Sequence, residues 1–173
     1  MKVRLTDFDE NWAQMFQKES QFLQRVFGEE VIQFEHFGST SIYGLKAKPV
    51  IDMMCIVKDI DKVDLFNSKM ESLGYDVAGE WGITGRRLFR KGGENRTHHI
   101  HFYQVNNPHI KRHLVFRDYL RTHSEKAAKY SRFKEELVQH FDNTREYSQA
   151  KKKYVQELEQ KALIWYAESQ KSI

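Results

Sequence analysis

A glycine, several hydroxyl-bearing residues and a lysine precede an apolar segment, a combination of residue types that suits an anion. Glycine lets the backbone approach a phosphate closely, and hydroxyl groups add hydrogen-bond donors. The candidate phosphate contacts in this stretch are Gly38, Ser39, Thr40, Ser41 and Lys48. The pattern predicts a site for a nucleotide or another phosphate-containing small molecule, with an ordinary strand-ending turn as the alternative.

One carboxylate, Asp52, interrupts the run "PVIDMMCIV" from Pro49 to Val57. A near-continuous apolar run is typical of a strand covered on both faces, and proline is acceptable at its first position. A carboxylate beside bound phosphates can hold a divalent cation, so Asp52 is the candidate catalytic residue. Alternatively, Asp52 is a structural acid that pairs with an arginine or with backbone N–H groups.

The segment "HHIH" offers further metal ligands, because His99 and His101 share one face of a strand with a two-residue period. Together with Asp52 they form a two-histidine, one-carboxylate set. Such a set suits Fe²⁺, Mn²⁺ or Zn²⁺ better than Mg²⁺, which prefers oxygen ligands. We therefore expect a divalent metal, either Mg²⁺ or a transition metal, while a hydrogen-bonded hairpin face is the alternative.

Arg86 and Arg87 lie near these histidines in sequence, at the start of a predicted hairpin strand. Arginines in this position could form a wall that faces the anion, and both are candidate ligand contacts. The usual fate of such a charge cluster is a solvated surface with little energetic weight.

Hydrophobic periodicity predicts the elements that position these residues. Helices are expected at Asp9–Phe27 and Asp61–Leu73, and strands at Val3–Leu5, Val31–Phe37, Pro49–Val57, Tyr75–Ala78, Arg86–Lys91 and Arg96–Val105. From Pro108 onward three helices follow, and Asn107 and Asn143 provide caps. The chain is predicted to be α+β, with a core over residues 1–105 and a C-terminal three-helix extension over residues 106–173 that packs on it as a single compact unit.

Composition narrows the class of protein. The chain has 173 residues, 40% of them hydrophobic and 30% charged, which is ordinary for a globular protein. No apolar run is long enough for a membrane span or a signal peptide, so a cytoplasmic protein without a membrane partner is expected. A net charge of +4 favours an anionic ligand but neither establishes nor excludes nucleic-acid binding, and nothing predicts an oligomeric state.

Several segments, in order along the chain, resemble the GrpB family, also called UPF0157, a branch of the nucleotidyltransferase-like superfamily. They are "EHFGSTSIYGLKAKPVID", "GITGRRLF", "HHIH", "FRDYLRTH", "YSRFKEEL" and "YSQAKKKYVQEL". The resemblance implies a nucleotidyltransferase-like mixed β-sheet with flanking helices.

Active nucleotidyltransferases resembling this fold carry Gly-Ser, then Asp-x-Asp or Asp-x-Glu on the next strand, with a third acid later. Gly38, Ser39 and Asp52 match that pattern, whereas Met54 occupies the position of the second acid. The resemblance therefore implies a divergent nucleotidyltransferase that binds a nucleotide or other phosphate-containing ligand with a divalent metal. The alternatives are a nucleotide- or anion-binding module without catalysis, and a transition-metal site with other chemistry.

Overall fold

The computed structural model describes residues 4–141 and 143–171, which form one mixed β-sheet with helices on both faces. The strands are β1 (Val31–Phe37), β2 (Ile51–Val57), β3 (Tyr75–Gly79), β4 (Arg87–Lys91) and β5 (His98–Gln104). The helices are α1 (Asn11–Phe27), α2 (Ile60–Val63), α3 (Asn67–Ser72), α4 (Pro108–Thr122), α5 (Ser124–His140) and α6 (Thr144–Lys171). Short 3₁₀ turns occupy Gly28–Glu30, Ser39–Ser41 and Asp64–Phe66. The predicted α+β class is confirmed.

The five strands follow the order β1-β2-β5-β4-β3. Strands β2 and β5 are parallel, and the other neighbouring pairs are antiparallel. In the parallel pair, Asp52 lies opposite His99 and Met54 lies opposite His101. This register places the candidate acid and the candidate histidines at adjacent positions across two strands.

The alternation of side chains along β2 supplies both faces of the sheet. Met53, Cys55 and Val57 belong to a buried cluster that includes residues of α1 to α3. Met54 and Ile56 point to the opposite face, where residues of α4 pack against them. A further cluster joins α4, α5 and α6 to Ile42 and Leu45, which follow the 3₁₀ turn at Ser39–Ser41. The C-terminal helices therefore cover the face that carries Asp52.

Two predicted elements differ from the observed ones. The helix expected at Asp61–Leu73 is divided into α2, a 3₁₀ turn and α3, and the side chain of Asp59, not Asp61, caps its start. The strand expected at Val3–Leu5 is not formed at residues 4 and 5, whereas Thr6 makes an isolated bridge with Ala47; Val3 lies outside the described residues. The caps predicted at Asn107 and Asn143 are present. None of the helices in the described ranges is long and apolar enough to cross a membrane.

Candidate phosphate-binding site

A cavity of about 120 Å³ opens where β2 begins, between the 3₁₀ turn after β1 and the last two helices. It is lined by Ser39, Thr40, Ala47, Lys48, Val50, Asp52, His99, Lys134, Tyr147 and Lys151. Five of the residues predicted to form the site therefore do line one cavity: Ser39, Thr40, Lys48, Asp52 and His99.

Asp52 is the one acid in the cavity wall among the described residues; one histidine is hydrogen-bonded to it and a second lies nearby. Its Oδ1 lies 3.1 Å from His101 Nε2 and 3.7 Å from His99 Nδ1. Burial by itself would raise the pKa of Asp52, but the hydrogen bond from His101 and the neighbouring charges of His99 and Lys48 bring it down to about 2. The carboxylate is therefore ionised at neutral pH.

The hydrogen bonds of His101 define its tautomer. Arg86 Nη1 lies 3.3 Å from His101 Nδ1, and a guanidinium can only donate, so Nδ1 must accept. The proton of the neutral ring then sits on Nε2, which donates to Asp52 Oδ1. Arg86 therefore orients the ring of His101, and His101 in turn positions the carboxylate of Asp52. Both ring nitrogens of His101 are engaged in these hydrogen bonds.

The predicted metal set is brought together but is already engaged. Within residues 4–141 and 143–171, no group of three or more histidine, cysteine or acidic side chains is arranged to hold a metal ion. Ligation by His101 would require it to leave Asp52 or Arg86, because a ring nitrogen in a hydrogen bond has no free lone pair for the metal. The donor set of Asp52, His99 and His101 does not fit a metal in this arrangement, and a divalent metal at this position stays a prediction.

The carboxylate of Asp52 leaves room only for glycine at position 38. The φ of 73° and ψ of −175° of Gly38 lie in a region that is essentially restricted to glycine. A Cβ atom added here would meet Asp52 Oδ2 at 2.8 Å. The strand-ending turn can therefore pass over Asp52 only with glycine at this position.

The hydroxyl groups of the turn have different partners. Ser41 Oγ donates to the Gly38 carbonyl at 2.6 Å, and Thr40 Oγ1 lies 2.9 Å from His36 Nε2. Ser39 Oγ instead accepts a hydrogen bond from Lys134 Nζ at 3.0 Å, at the cavity wall. Ser41 and Thr40 thus stabilise the turn itself, and Ser39 connects it to α5.

Three lysines from separate parts of the chain surround the cavity: Lys48, Lys134 and Lys151. Burial, with the charges of Lys151 and Lys48, lowers the pKa of Lys134 to about 6. Burial and the charge of Lys48 lower the pKa of Lys151 to about 8, and burial also lowers the pKa of Lys48. Burial therefore disfavours the charged form of each lysine, and an anion bound in the cavity would favour it again.

The sequence prediction missed Lys134, Tyr147 and Lys151, although their spacing contains a signal. Lys134 lies between Tyr130 and Leu137 on the apolar stripe of α5, with intervals of four and three residues. Lys151 occupies the corresponding place between Tyr147 and Tyr154 on α6. A lysine inside a helix stripe that must be buried needs a polar cavity or an anion. This requirement could have identified Lys134 and Lys151 from the sequence.

Tyr147 forms an aromatic wall of the cavity. Lys48 Nζ lies 5.8 Å and Lys151 Nζ 5.2 Å from its ring centroid. Its hydroxyl is buried and has no hydrogen-bond partner among the described residues. A polar group of this kind inside a cationic cavity is available to a ligand.

The two predicted arginine contacts lie elsewhere. Arg86 is buried, contacts His101, and donates to the carbonyls of Glu80 and Trp81. Arg87 forms a two-point ion pair with Asp64. The structure therefore brings neither guanidinium to the cavity wall, although Arg86 supports the site through His101.

Fold and site together define a class: an α+β protein in which a glycine-containing turn, an acidic strand and helical lysines enclose a cationic cavity. The chain belongs to the GrpB family, whose model, described as GrpB protein, matches residues 2–161. This result confirms the resemblance drawn from the sequence motifs.

Relatives of known sequence and structure agree with this assignment. The chain is 49% identical to UPF0157 protein YqkA of Bacillus subtilis over 130 residues, which cover 75% of this chain but 38% of YqkA. It is 32% identical to glutamate-rich protein GrpB of Alkalihalophilus pseudofirmus, with 75% of this chain and 77% of that protein covered. The crystal structure of conserved protein GrpB from Enterococcus faecalis superposes with a TM-score of 0.90 at 41% identity, covering 94% of this chain and 99% of that one.

Proposed function

We propose that the protein binds the phosphate groups of a nucleotide or a related phosphate-containing small molecule in the lysine cavity. The observation that carries this proposal is the convergence of Lys48, Lys134 and Lys151 on one cavity whose described wall contains a single carboxylate, Asp52. Lys134 is buried and Lys48 and Lys151 are partly buried, so charging all three against one carboxylate is costly unless a further anion neutralises them. Phosphate oxygens supply that charge and can also accept from the Tyr147 hydroxyl.

Nucleotidyl transfer is the second candidate, and the ionised state of Asp52 at the cavity wall favours it. The residue at the second acidic position, Met54, is fully buried against Phe37 and Tyr103 and offers no oxygen ligand. Phosphate binding needs only the lysines, whereas transfer needs further help in neutralising the transferring group. Binding is therefore the function that the geometry supports best.

Titration calorimetry of the purified protein with sodium tripolyphosphate, in EDTA, tests phosphate binding. Lys151→Gln should weaken binding by roughly tenfold or more, since it removes a charge-assisted hydrogen bond in a partly dry site. Lys152→Gln, on an exposed neighbour in the same helix, should leave the affinity unchanged. Equal affinities in the two variants, or no binding to the unmodified protein, would overturn the proposal.

Asp52→Asn separates binding from metal-assisted transfer. If the cavity is a simple anion site, removing the opposing carboxylate tightens tripolyphosphate binding, because one repulsive charge is lost. If Asp52 holds a divalent ion, Mn²⁺ or Mg²⁺ should strengthen nucleotide binding to the unmodified protein, and this gain should vanish in the variant. Both arms can be measured in the same calorimeter.

A further inference from the structure

An exposed tryptophan lies on the loop before β4, in a conformation that is unusual for a large side chain. Trp81 is 62% exposed and has a φ of 46°, and no other non-glycine residue within 4–141 and 143–171 has a positive φ. Left-handed backbone at a bulky residue costs free energy and persists only where the surroundings enforce it. The local contacts therefore hold this ring at the surface.

Two arginines provide these contacts. Arg86 Nη2 donates to the Trp81 carbonyl at 2.8 Å, which fixes the backbone. The Arg90 guanidinium carbon lies 4.8 Å from the Trp81 ring centroid, in a cation–π arrangement. Arg90 Nε is buried and has no hydrogen-bond partner among the described residues. Trp81 and Arg90 therefore form an ordered aromatic and cationic surface, in which the Arg90 Nε donor has no partner among the described residues.

The sheet register places this pair beside the lysine cavity. Asp52 on β2 lies opposite His99 on β5, and His99 lies opposite Arg90 on β4. Residues at paired positions point to the same face, and neighbouring strands are about 4.8 Å apart, so Arg90 lies about 10 Å from Asp52 along that face. His99 lines the cavity, and Arg90 is its neighbour on the side away from Asp52.

We propose that Trp81 and Arg90 form a subsite that stacks the nucleobase of a mononucleotide whose phosphates occupy the lysine cavity. This inference rests on the proposed phosphate binding and specifies the ligand class. The cavity, of about 120 Å³, is walled by lysines, hydroxyl groups and Asp52, a lining that suits phosphate groups better than a base. The base then extends along the sheet face toward Arg90 and the ring of Trp81 that packs on it. Bases stack well on aromatic rings and on guanidinium planes.

Paired titrations separate the base from the phosphates. Tripolyphosphate reports the lysine cavity alone, while ATP, GTP, CTP and UTP add a base to the same phosphates, all in EDTA. We expect at least one triphosphate to bind more tightly than tripolyphosphate. Trp81→Ala should weaken that nucleotide by roughly 5- to 100-fold, the range for losing one stacked base, and leave tripolyphosphate within about twofold.

Two further variants control for folding and for general surface effects. Trp81→Phe keeps an aromatic ring and should retain most of the nucleotide affinity, while Leu65→Ala, at an exposed apolar residue on the 3₁₀ turn at Asp64–Phe66, should change neither ligand. If Trp81→Ala leaves nucleotide affinity intact, or weakens both ligands equally, the stacking subsite is overturned while phosphate binding stands. If the unmodified protein binds neither ligand, phosphate binding itself fails, and the subsite fails with it.

Discussion

At the scale of single residues, the Gly38–Asp52 pair shows how a motif usually associated with ligands also solves a packing problem. Glycine at a strand-to-phosphate turn is commonly explained by the approach of the ligand. Here the nearest atom to a hypothetical Cβ is Asp52 Oδ2, which belongs to the protein. The turn and the acid therefore depend on each other before any phosphate binds.

Substituting Gly38 with alanine should lower the free energy of unfolding by about 3 kcal/mol, since it combines a glycine-only backbone region with a clash against the carboxylate. Gly44→Ala is the matched control, because Gly44 also has a positive φ of 79° but has nothing within 4 Å of the added Cβ. That variant should lose only about 1 kcal/mol. Urea unfolding measures both, and equal losses would show that Asp52 does not constrain the turn.

The residues of the site that could be predicted are those whose signal is local. Ser39, Thr40 and Lys48 belong to one turn segment, and Asp52 is conspicuous in an apolar strand. Lys134 and Lys151 approach the cavity only after two helices fold back onto the sheet, so no short motif contains them with the turn. Arg86 was predicted as an anion contact, and its actual role at His101 depends on strand register.

At the scale of elements, two arginines connect α4 to the edge strand β1 and to the turn that follows it. Arg117 Nη1 donates to Glu35 Oε2 at 2.7 Å and to the His36 carbonyl at 3.0 Å, and its Nε donates to Asp118 at 2.9 Å. Arg121, one turn further along, donates to the Ser41 carbonyl. These contacts set the helix over β1 and over the turn that forms the cavity.

Replacing Arg117 with methionine should lower the free energy of unfolding by about 1.5–3 kcal/mol, because the side chain is largely buried and a charged acceptor loses its donor. Arg132→Met, at an exposed arginine of α5, should change it by less than about 0.5 kcal/mol. A double-mutant cycle with Glu35→Gln measures the pair directly. Absence of coupling would show that Glu35 is not the partner that fastens α4.

Strand β1 was predicted with its observed bounds, because a two-residue period bounded by a glycine is a strong signal. The interruption between α2 and α3 was not predicted, because it accompanies a tertiary contact. Phe66 packs against Phe27 of α1, with ring centroids 4.5 Å apart. The parallel pairing of β2 with β5 is likewise non-local. It sets the distance from Asp52 to His99, and neither strand sequence specifies it.

At the scale of the whole molecule, the sheet and the C-terminal helices share buried clusters and the cavity. Leu45 packs with Leu120 and Tyr130, and Met54 packs with residues of α4. The lysines that line the cavity therefore lose contact with water on folding, and their proton affinities differ between the folded and unfolded states. This difference links the stability of the entire chain to pH.

Between pH 7 and 8.5 stability should rise with pH. The pKa values of Lys134, about 6, and Lys151, about 8, lie below the ordinary value of 10.5, so the unfolded chain binds more protons and a higher pH favours the folded state. Burial lowers the pKa of His36, His99 and His113 below this range, while it raises those of Cys55, Tyr130 and Tyr147, which titrate above it. Asp52 and Lys48 also face the lysines, and the low pKa of Asp52 keeps its charge constant here.

Urea unfolding at pH 7, 7.5, 8 and 8.5 should show a slope of up to about 1.4 kcal/mol per pH unit from Lys134. Lys134→Met should reduce that slope to the part that Lys151 contributes, because the apolar side chain has no proton to lose on folding. Saturating tripolyphosphate should flatten it as well, since bound phosphate keeps the ammonium groups charged in the folded state. A slope that Lys134→Met leaves undiminished would place the titrating groups elsewhere, whereas a slope that tripolyphosphate leaves unchanged would mean that the cavity lysines do not meet the anion.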